Sequence, residues 1–146
     1  SMDKQALNSM MAYCSQAERC VQDVLDKLGK ADVNVEDAEV IVCELVRMDY
    51  INEQRYATAF AHDKFRFNKW GKLKISYGLR QKKISSEVIQ QALDSLDEID
   101  YEKTLLKLIE SKQRSIKGTA AQQKAAVIRF ALSRGFEYDK IQKMLR

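Results

Sequence analysis

Apolar residues recur every three or four positions along most of this sequence, which is the spacing that one buried face of an α-helix requires. Between 34 and 46, Ala38, Ile41, Val42 and Leu45 follow this spacing, with acidic residues between them. The pattern recurs eight more times, separated by short polar stretches. With their cap residues, the predicted helices cover 3–13, 15–28, 34–46, 52–67, 71–82, 85–96, 100–112, 119–132 and 138–145.

Residues typical of helix starts stand at the beginning of several of these stripes. Asn34, Asn52 and either Ser85 or Ser86 are suited to N-cap positions, because their side chains accept hydrogen bonds from free backbone N–H groups. Thr119, followed three residues later by Gln122, matches a capping box. These positions therefore predict where four of the helices begin.

Glycines mark further features of the predicted helices. Gly29 and Gly135 are each expected to end a helix. Gly78 lies inside a predicted helix, where glycine costs about 1 kcal/mol relative to alanine, so a close contact with another helix is expected there. The polar stretch 111–118 is predicted to be a mobile linker.

The predicted helices fall into groups of three. Ile41, Ile89 and Ile141 occupy the same place in each group, at offsets of 48 and 52 residues. This period is typical of helical arrays, in which small units stack because none buries its apolar face alone. We therefore expect an all-α fold of tandem three-helix repeats in an elongated, curved molecule. The predicted units are 1–51, 52–98 and 99–146.

The composition agrees with an all-helical fold. The 146 residues include no proline and only five glycines, whereas the turns between strands recruit both. No apolar run approaches the roughly 20 residues of a membrane-spanning helix, and no basic start followed by an apolar stretch indicates a signal peptide. A cytoplasmic protein without membrane association is expected, and a monomer is the starting assumption.

Charge is segregated along the chain, although the net charge is only +4. Residues 1–54 carry a net charge of −6, residues 55–83 of +8, residues 84–102 of −6 and residues 103–146 of +8. One such block is ordinarily a solvated helix face, but two separate basic blocks favour a surface that meets an anionic partner. The candidate contact residues are Arg55, Lys64, Arg66, Lys69, Lys72, Lys74, Arg80, Lys82, Lys83, Arg129 and Arg134.

Aromatic side chains alternate with these cations. Tyr56 and Phe60, four residues apart, are predicted to be core residues. Trp70, the only tryptophan, is interpreted as a core residue that holds two helices together. The alternative for Trp70 is an exposed platform on which a nucleic-acid base stacks.

No catalytic, cofactor or metal motif is recognisable in the sequence. There is no Gly-rich phosphate loop, and the only histidine, His62, is followed by an aspartate that cannot face it on a helix. Cys14, Cys20 and Cys43 form no CxxC pair, so a zinc site is not expected. Sequence-specific DNA binding is disfavoured too, because no helix begins with a base-reading set of Arg, Asn or Gln. Neither an enzyme nor a bound cofactor is therefore predicted.

The stretch 52–93 resembles the central motif of the RecX regulatory proteins, and weaker similarity extends over about 10–146. The residues that carry the resemblance are Arg55-Tyr56-Ala57, Phe60, Lys64, Trp70-Gly71-Lys72, Ile75, Leu79, Lys82-Lys83-Ile84, Ile89, Ala92-Leu93, with Cys43-Glu44-Leu45 and Asp49-Tyr50-Ile51-Asn52 before them and Arg134-Gly135-Phe136, Tyr138-Asp139 and Ile141 after them. Lys83 departs from the family pattern, because members often have glycine there. The geometry of that helix cap is therefore open.

The resemblance implies tandem three-helix repeats and a regulator, not an enzyme, that binds the RecA–DNA filament and suppresses RecA ATPase and strand exchange. Such a protein would act in DNA repair, DNA recombination and the SOS response, with single- or double-stranded DNA as a further candidate partner. One alternative is a general DNA-binding helical protein that coats nucleic acid. Another is an unrecognised enzyme, which would need a polar pocket around His62 and the acids that follow residue 93.

Overall fold

The computed structural model describes residues 3–145, and these residues form nine α-helices and no strand. The helices are α1 Lys4–Gln16, α2 Val21–Lys30, α3 Val35–Arg47, α4 Glu53–Asn68, α5 Lys72–Gln81, α6 Ser86–Asp94, α7 Glu98–Ser115, α8 Ala120–Ser133 and α9 Tyr138–Met144. The all-α fold that the apolar spacing predicts is confirmed.

Side-chain caps begin four helices at the predicted positions. Asn34, Asn52 and Ser85 each accept a hydrogen bond from the backbone N–H three residues later, at 2.9, 2.9 and 3.3 Å. Thr119 and Gln122 form the capping box at the start of α8. Each such cap contributes about 1 kcal/mol, so local sequence fixes these helix starts.

Both predicted ends of α2 are wrong. The helix begins at Val21 and not near residue 15, because Cys20 is its N-cap and forms a capping box with Asp23. It also continues through Gly29 to Lys30. Burial raises the pKa of the Cys20 thiol to about 11. Cys20 therefore serves this helix start as a neutral thiol.

The predicted linker after α7 is shorter than expected. α7 continues to Ser115, so only 116–119 separate it from α8. Gln123 holds this short loop by donating from Nε2 to the carbonyl oxygens of Ile116 and Gly118, at 3.3 and 3.1 Å. The stretch 111–118 is therefore mostly helix, and its loop portion is hydrogen-bonded to α8.

Three clusters of buried side chains lie along the chain, one for each group of three helices. They are built around Ile41, Ile75 and Tyr101, all fully buried. Cys20 belongs to the second cluster, and Phe65 packs against both the second and the third. The accessible surface is 9123 Å², against about 7,700 Å² for a compact monomer of this mass. Three small cores side by side account for the excess.

The three units share a local plan, in a register that differs partly from the predicted one. The last helices of the units, α3, α6 and α9, follow the N-cap residues Asn34, Ser85 and Glu137. These N-caps are 51 and 52 residues apart, so the predicted offset of 52 is confirmed and that of 48 is wrong. Ala38, not the isoleucine three positions later, is equivalent to Ile89, because α3 carries its bulky apolar residues one turn further along. The unit boundaries after 51 and 98 stay predictions.

A left-handed residue follows the second helix of each unit. Asp32, Lys83 and Gly135 have φ angles of 61°, 60° and 93°. Lys83 adopts this conformation although a side chain makes it unfavourable by about 1 kcal/mol. The cap geometry therefore survives the departure from the family pattern at Lys83.

Candidate functional site

The second and third units meet backbone to backbone at two glycines. The N–H of Gly71 donates to the carbonyl oxygen of Arg134 at 2.7 Å, and the N–H of Leu73 donates to that of Gly135 at 2.9 Å. A Cβ on Gly71 would lie closer than 3.0 Å to the backbone of Gly135, and one on Gly135 would meet Lys74 as closely. Only residues without a side chain allow this approach. The start of α5 is thereby fixed to the end of α8.

Tyr101 binds a further N–H group at the start of α5. The backbone N–H of Lys72 donates to the Tyr101 hydroxyl oxygen at 2.9 Å, and this hydroxyl donates to Glu137. The ring is fully buried, with the centroids of Phe65 and Phe136 at 5.7 and 5.1 Å. Burial, and then the bond to Glu137, raises the pKa of Tyr101. No side chain of the second unit caps the start of α5. The hydroxyl of Tyr101, from the third unit, binds the free N–H group there instead.

The first and second units meet through charged side chains. Arg55, in the first turn of α4, donates from Nε to Glu18 at 2.6 Å and from Nη1 to Asp49 at 3.1 Å. Lys82 pairs with Asp23 at 2.7 Å. Hydrogen bonds to Glu18 and Asp23 respectively raise the pKa of Arg55 and of Lys82. Both cations hold the first unit in place, so their charges are already compensated.

Lys72 is likewise compensated within the chain. Its Nζ lies 3.2 Å from Glu98 and 4.8 Å from the centroid of the Tyr101 ring. Lys140 hydrogen-bonds the same carboxylate, and together the two lysines lower the pKa of Glu98. Three of the eleven predicted contact residues are therefore neutralised by the chain's own carboxylates.

The other eight predicted contact residues form no ion pair among residues 3–145. They are Lys64, Arg66, Lys69, Lys74, Arg80, Lys83, Arg129 and Arg134. Six of them belong to the second unit and two to the third, on both sides of the glycine junction. Their charges are therefore free for an anionic partner.

Trp70 is half-buried against the core of the second unit, which favours the core interpretation over a stacking platform. Its ring meets Phe60 edge-on, with centroids 6.3 Å apart. The Nζ atoms of Lys64 and Lys74 lie 4.9 and 4.8 Å from the Trp70 ring centroid. A Cβ on Gly78 would lie 2.9 Å from Phe60 Cζ, so the close contact expected at this glycine is confirmed. Cation–π contacts with the Trp70 ring thus hold Lys64 and Lys74 beside the core, although neither lysine forms an ion pair among the described residues.

Large apolar side chains are exposed next to these cations. Phe67, Leu73 and Tyr77 are 72%, 54% and 60% exposed. Leu73 and Tyr77 lie four residues apart on α5, so they share one helix face. Arg80 follows one turn later and is also exposed. Exposed aromatic side chains beside arginine are enriched where proteins bind other proteins.

A cavity of about 430 Å³ lies between the second half of α4 and the first half of α7. Arg66 of α4 and Lys69, the residue after α4, line it on one side, and Lys103 and Lys107 of α7 line it on the other. Only Arg66 and Lys69 are among the contact residues predicted from the sequence. Lys103 and Lys107 are four residues apart, which places them on one helix face. The four-residue spacing of Lys103 and Lys107 is visible in the sequence. The sequence does not show that these lysines lie opposite Arg66 and Lys69.

Groups that would support chemistry are sparse in the described part of the chain. No three His, Cys, Asp or Glu side chains between 3 and 145 are placed to hold a metal ion. None of the helices described is long and apolar enough to span a membrane. His62 lines the cavity together with Asp97 and Asp100, so the polar pocket that an enzyme would need is present. His62 is exposed and lies 2.9 Å from the hydroxyl of Ser95, and no carboxylate of the described residues is hydrogen-bonded to its ring.

Two protein-family models match the chain and together cover more than half of it. The model described as "RecX, second three-helix domain" matches residues 52–93. The model described as "RecX, third three-helix domain" matches residues 100–145.

Curated relatives named regulatory protein RecX align with most of the chain. The protein of Lactobacillus gasseri is 27% identical over 75% of this chain and 40% of its own length. That of Streptococcus uberis is 29% identical over 92% of this chain and 52% of its own length. That of Clostridium perfringens strain 13 is 25% identical over 95% and 66%. The chain therefore spans between 40% and 66% of the length of these relatives, which are named as regulators rather than enzymes.

Solved structures share the fold of the chain. A crystal structure of regulatory protein RecX superimposes with a TM-score of 0.89 at 22% identity, over 97% of this chain and 70% of the other. The crystal structure of RecX from Lactobacillus salivarius gives a TM-score of 0.87 at 22% identity, over 97% and 93%. At this identity the likeness concerns the arrangement of the helices.

Proposed function

Since this chain belongs to the RecX family of regulatory proteins, we propose that it binds the RecA–DNA filament and lowers RecA ATPase and strand exchange. The protein acts by docking and performs no reaction of its own. It works as a monomer in the cytoplasm, within the control of DNA repair, with its three units divided after 51 and 98.

The observation that carries this proposal is a rigid pair of units with free cations on both. Eight predicted contact residues lack an intramolecular ion pair among the described residues, and they occur on either side of the junction formed by Gly71 and Gly135. Because backbone hydrogen bonds fix that junction, the distance between the two groups of cations is set before binding. Pre-organised charges favour a partner with acidic groups at a matching distance.

The exposed face of α5 favours a protein partner over bare DNA. Leu73 and Tyr77 lie on it between the cations Lys74 and Arg80. Burying two large apolar side chains removes their surface from water, which favours a complex with another protein. Arg129 and Arg134 add charge from α8 and its C-cap.

The first test measures ATP hydrolysis by RecA on single-stranded DNA while this protein is added far below the RecA concentration. Inhibition at that ratio supports filament binding, because one molecule then affects many RecA protomers. Inhibition only when the DNA itself is saturated supports the second candidate function, a coating of nucleic acid. The eight unpaired cations are the observation that favours this second candidate.

A charge-reversal variant sharpens the test. Lys74→Glu with Arg80→Glu should weaken filament binding about tenfold, because both charges flank the exposed apolar face. Lys72 is unsuitable for this purpose, since its side chain holds Glu98 and its backbone binds the third unit. The matched control is Lys4→Glu with Lys30→Glu, which changes the net charge equally on the first unit. Equal binding by both variants would contradict the assignment of this face.

A further inference from the structure

The cavity between α4 and α7 gathers cations that the described chain does not neutralise. Arg66 and Lys69 come from the second unit, Lys103 and Lys107 from the third, and none forms an ion pair within residues 3–145. Arg55, by contrast, binds two carboxylates at the other junction. Like charges grouped in this way repel one another, so an anion that enters the cavity is attracted by all four.

The walls of this cavity are held by packing. Leu96 is 5% exposed, and Phe65 stacks on the buried ring of Tyr101 at 5.7 Å. Ser95 donates its hydroxyl to a backbone carbonyl at 2.6 Å, so its oxygen accepts from Nε2 of His62 at 2.9 Å. The cationic side chains therefore surround a set of packed residues, and a ligand can enter the cavity without a change in the arrangement of the units.

Two carboxylates line the same cavity, and one of them is engaged by the backbone. Asp97 is the N-cap of α7 and accepts the N–H of Asp100 at 2.9 Å. Four cations against two carboxylates leave the lining with a net charge of +2. The lining therefore favours a ligand that carries negative charge.

We propose that this cavity binds the phosphate groups of a nucleotide-containing ligand. Phosphate oxygens accept charge-assisted hydrogen bonds from arginine and lysine together. His62, which is exposed and belongs to the cavity lining, offers an aromatic ring on which a base stacks. The volume of about 430 Å³ lies within the range of about 300–1,000 Å³ typical of ligand sites. Both a nucleic-acid strand and a free nucleoside triphosphate supply this chemistry.

The test uses the full chain without RecA, so it is independent of filament binding. The variant is Lys103→Gln with Lys107→Gln, and the matched control is Lys4→Gln with Lys30→Gln, which removes the same charge from exposed sites on the first unit. The probes are a fluorescein-labelled 30-mer of deoxythymidine, followed by anisotropy at several salt concentrations, and ATP, followed by calorimetry. Circular dichroism and thermal melting check that each variant folds.

Each outcome decides the proposal. If the strand is the ligand, the cavity variant binds it about tenfold more weakly and its slope of log affinity against log salt falls by about 1.4, because two phosphate contacts at about 0.7 each are lost. If the free nucleotide is the ligand, ATP affinity falls instead. If cavity and control variants bind both probes alike, or the unmodified chain binds neither, the proposal is overturned. Arg66→Gln with Lys69→Gln replaces the cavity variant, under the same criteria, if the first variant does not fold.

The NMR resonances of His62 supply a second measurement, which reports binding at the cavity itself and not the overall charge of the protein. It is the only histidine in the sequence and it lines the cavity, so its imidazole resonances are unambiguous in an NMR spectrum at fixed pH. Adding the ligand that binds should shift these resonances in the unmodified chain and in the Lys4 and Lys30 control. Unchanged resonances under saturating ligand would place the binding site elsewhere and overturn the proposal.

Discussion

The two junctions between units differ in the kind of contact that forms them. The second and third units meet through backbone hydrogen bonds at Gly71 and Gly135. The first and second units meet through Arg55 with its two carboxylates, and through Glu53, which accepts the N–H of Val21 at 2.9 Å. The strength of the backbone contacts does not depend on salt, but a side chain added at either glycine would disrupt them. Ion pairs become weaker as the salt concentration rises, but they tolerate substitution of neighbouring residues.

This difference matches the distribution of free charge. The eight unpaired predicted cations belong to the two units that the glycine junction joins, while the first unit has a net negative charge. A docking surface built from separated cations requires constant spacing, and the glycine junction supplies it. The first unit, attached through ion pairs and the buried side chain of Cys20, is suited to orienting the molecule, because segregated charge aligns a protein with a partner's field.

The largest expected effect is that of Gly71→Ala. Gly71 has φ −79° and ψ 170°, which alanine adopts without strain, so the whole penalty is steric. The added Cβ would lie closer than 3.0 Å to backbone atoms of Gly135, and backbone cannot move as a side chain can. We expect a loss of about 3 kcal/mol in the free energy of unfolding, measured by urea denaturation.

Gly29→Ala is the matched control for that substitution. Nothing lies within 4 Å of a Cβ at Gly29, which sits inside α2. Alanine in place of a helical glycine should stabilise the protein by about 0.5–1 kcal/mol. If Gly71→Ala lowered the free energy of unfolding by less than about 1 kcal/mol, the backbone at the junction would have moved to make room for the added Cβ. The contrast between the two junctions would then be wrong.

The next largest effect belongs to Tyr101→Phe. The change keeps the buried ring but leaves the N–H of Lys72 and the carboxylate of Glu137 without the hydroxyl that joins them. We expect a loss of about 1–3 kcal/mol, because buried polar groups then lack partners. Tyr138→Phe, at an exposed tyrosine, should change stability by less than about 0.5 kcal/mol. Equal effects in thermal melts would rule out a special role for the Tyr101 hydroxyl.

Helices and their caps were predictable because their causes are local. Asn34, Asn52 and Thr119 act on N–H groups within three residues, so the sequence alone shows both partners. The exception at α2 follows the same logic, since Cys20 caps through sulfur and cysteine is an unusual choice there. Local rules therefore predicted each helix of the described chain, but they missed the cap at Cys20 and also the ordinary cap at Asp97, three residues before the predicted start of α7.

The junctions and the cavity were not predictable because their partners are distant in sequence. In the sequence, Gly71 and Gly135 look like ordinary glycines at helix ends, and nothing local indicates that they contact each other in the fold. Arg55 resembles any other basic residue until Glu18 and Asp49 are seen beside it. Charge blocks show how many cations a segment carries, whereas the folded arrangement decides which of them remain free.

A smaller effect is expected from Arg55→Gln. Its side chain is 39% exposed, so solvent screens its ion pairs and their loss should cost about 1 kcal/mol at low salt. At 1 M salt, where the Debye length is about 3 Å, most of that cost should vanish. Arg47→Gln, which breaks a pair within one exposed helical stretch, should change stability much less than Arg55→Gln at either salt concentration. A penalty for Arg55→Gln that is the same at both salt concentrations would contradict an ionic junction.

The smallest effect concerns the ionic layer that Glu98 adds to the glycine junction. Lys140 and Lys72 lower the pKa of Glu98 below its ordinary 4.5, so its stabilisation is present above that pH and is lost as the pH falls through the lowered value. Glu98→Gln should therefore cost less than about 1 kcal/mol at pH 7 and a smaller amount at pH 3, which lies on the acid side of the ordinary 4.5. The penalty of Gly71→Ala should persist at both pH values, because the backbone contacts do not titrate. If urea denaturation gave Glu98→Gln the same penalty at pH 3 as at pH 7, its ion pairs would not be the cause.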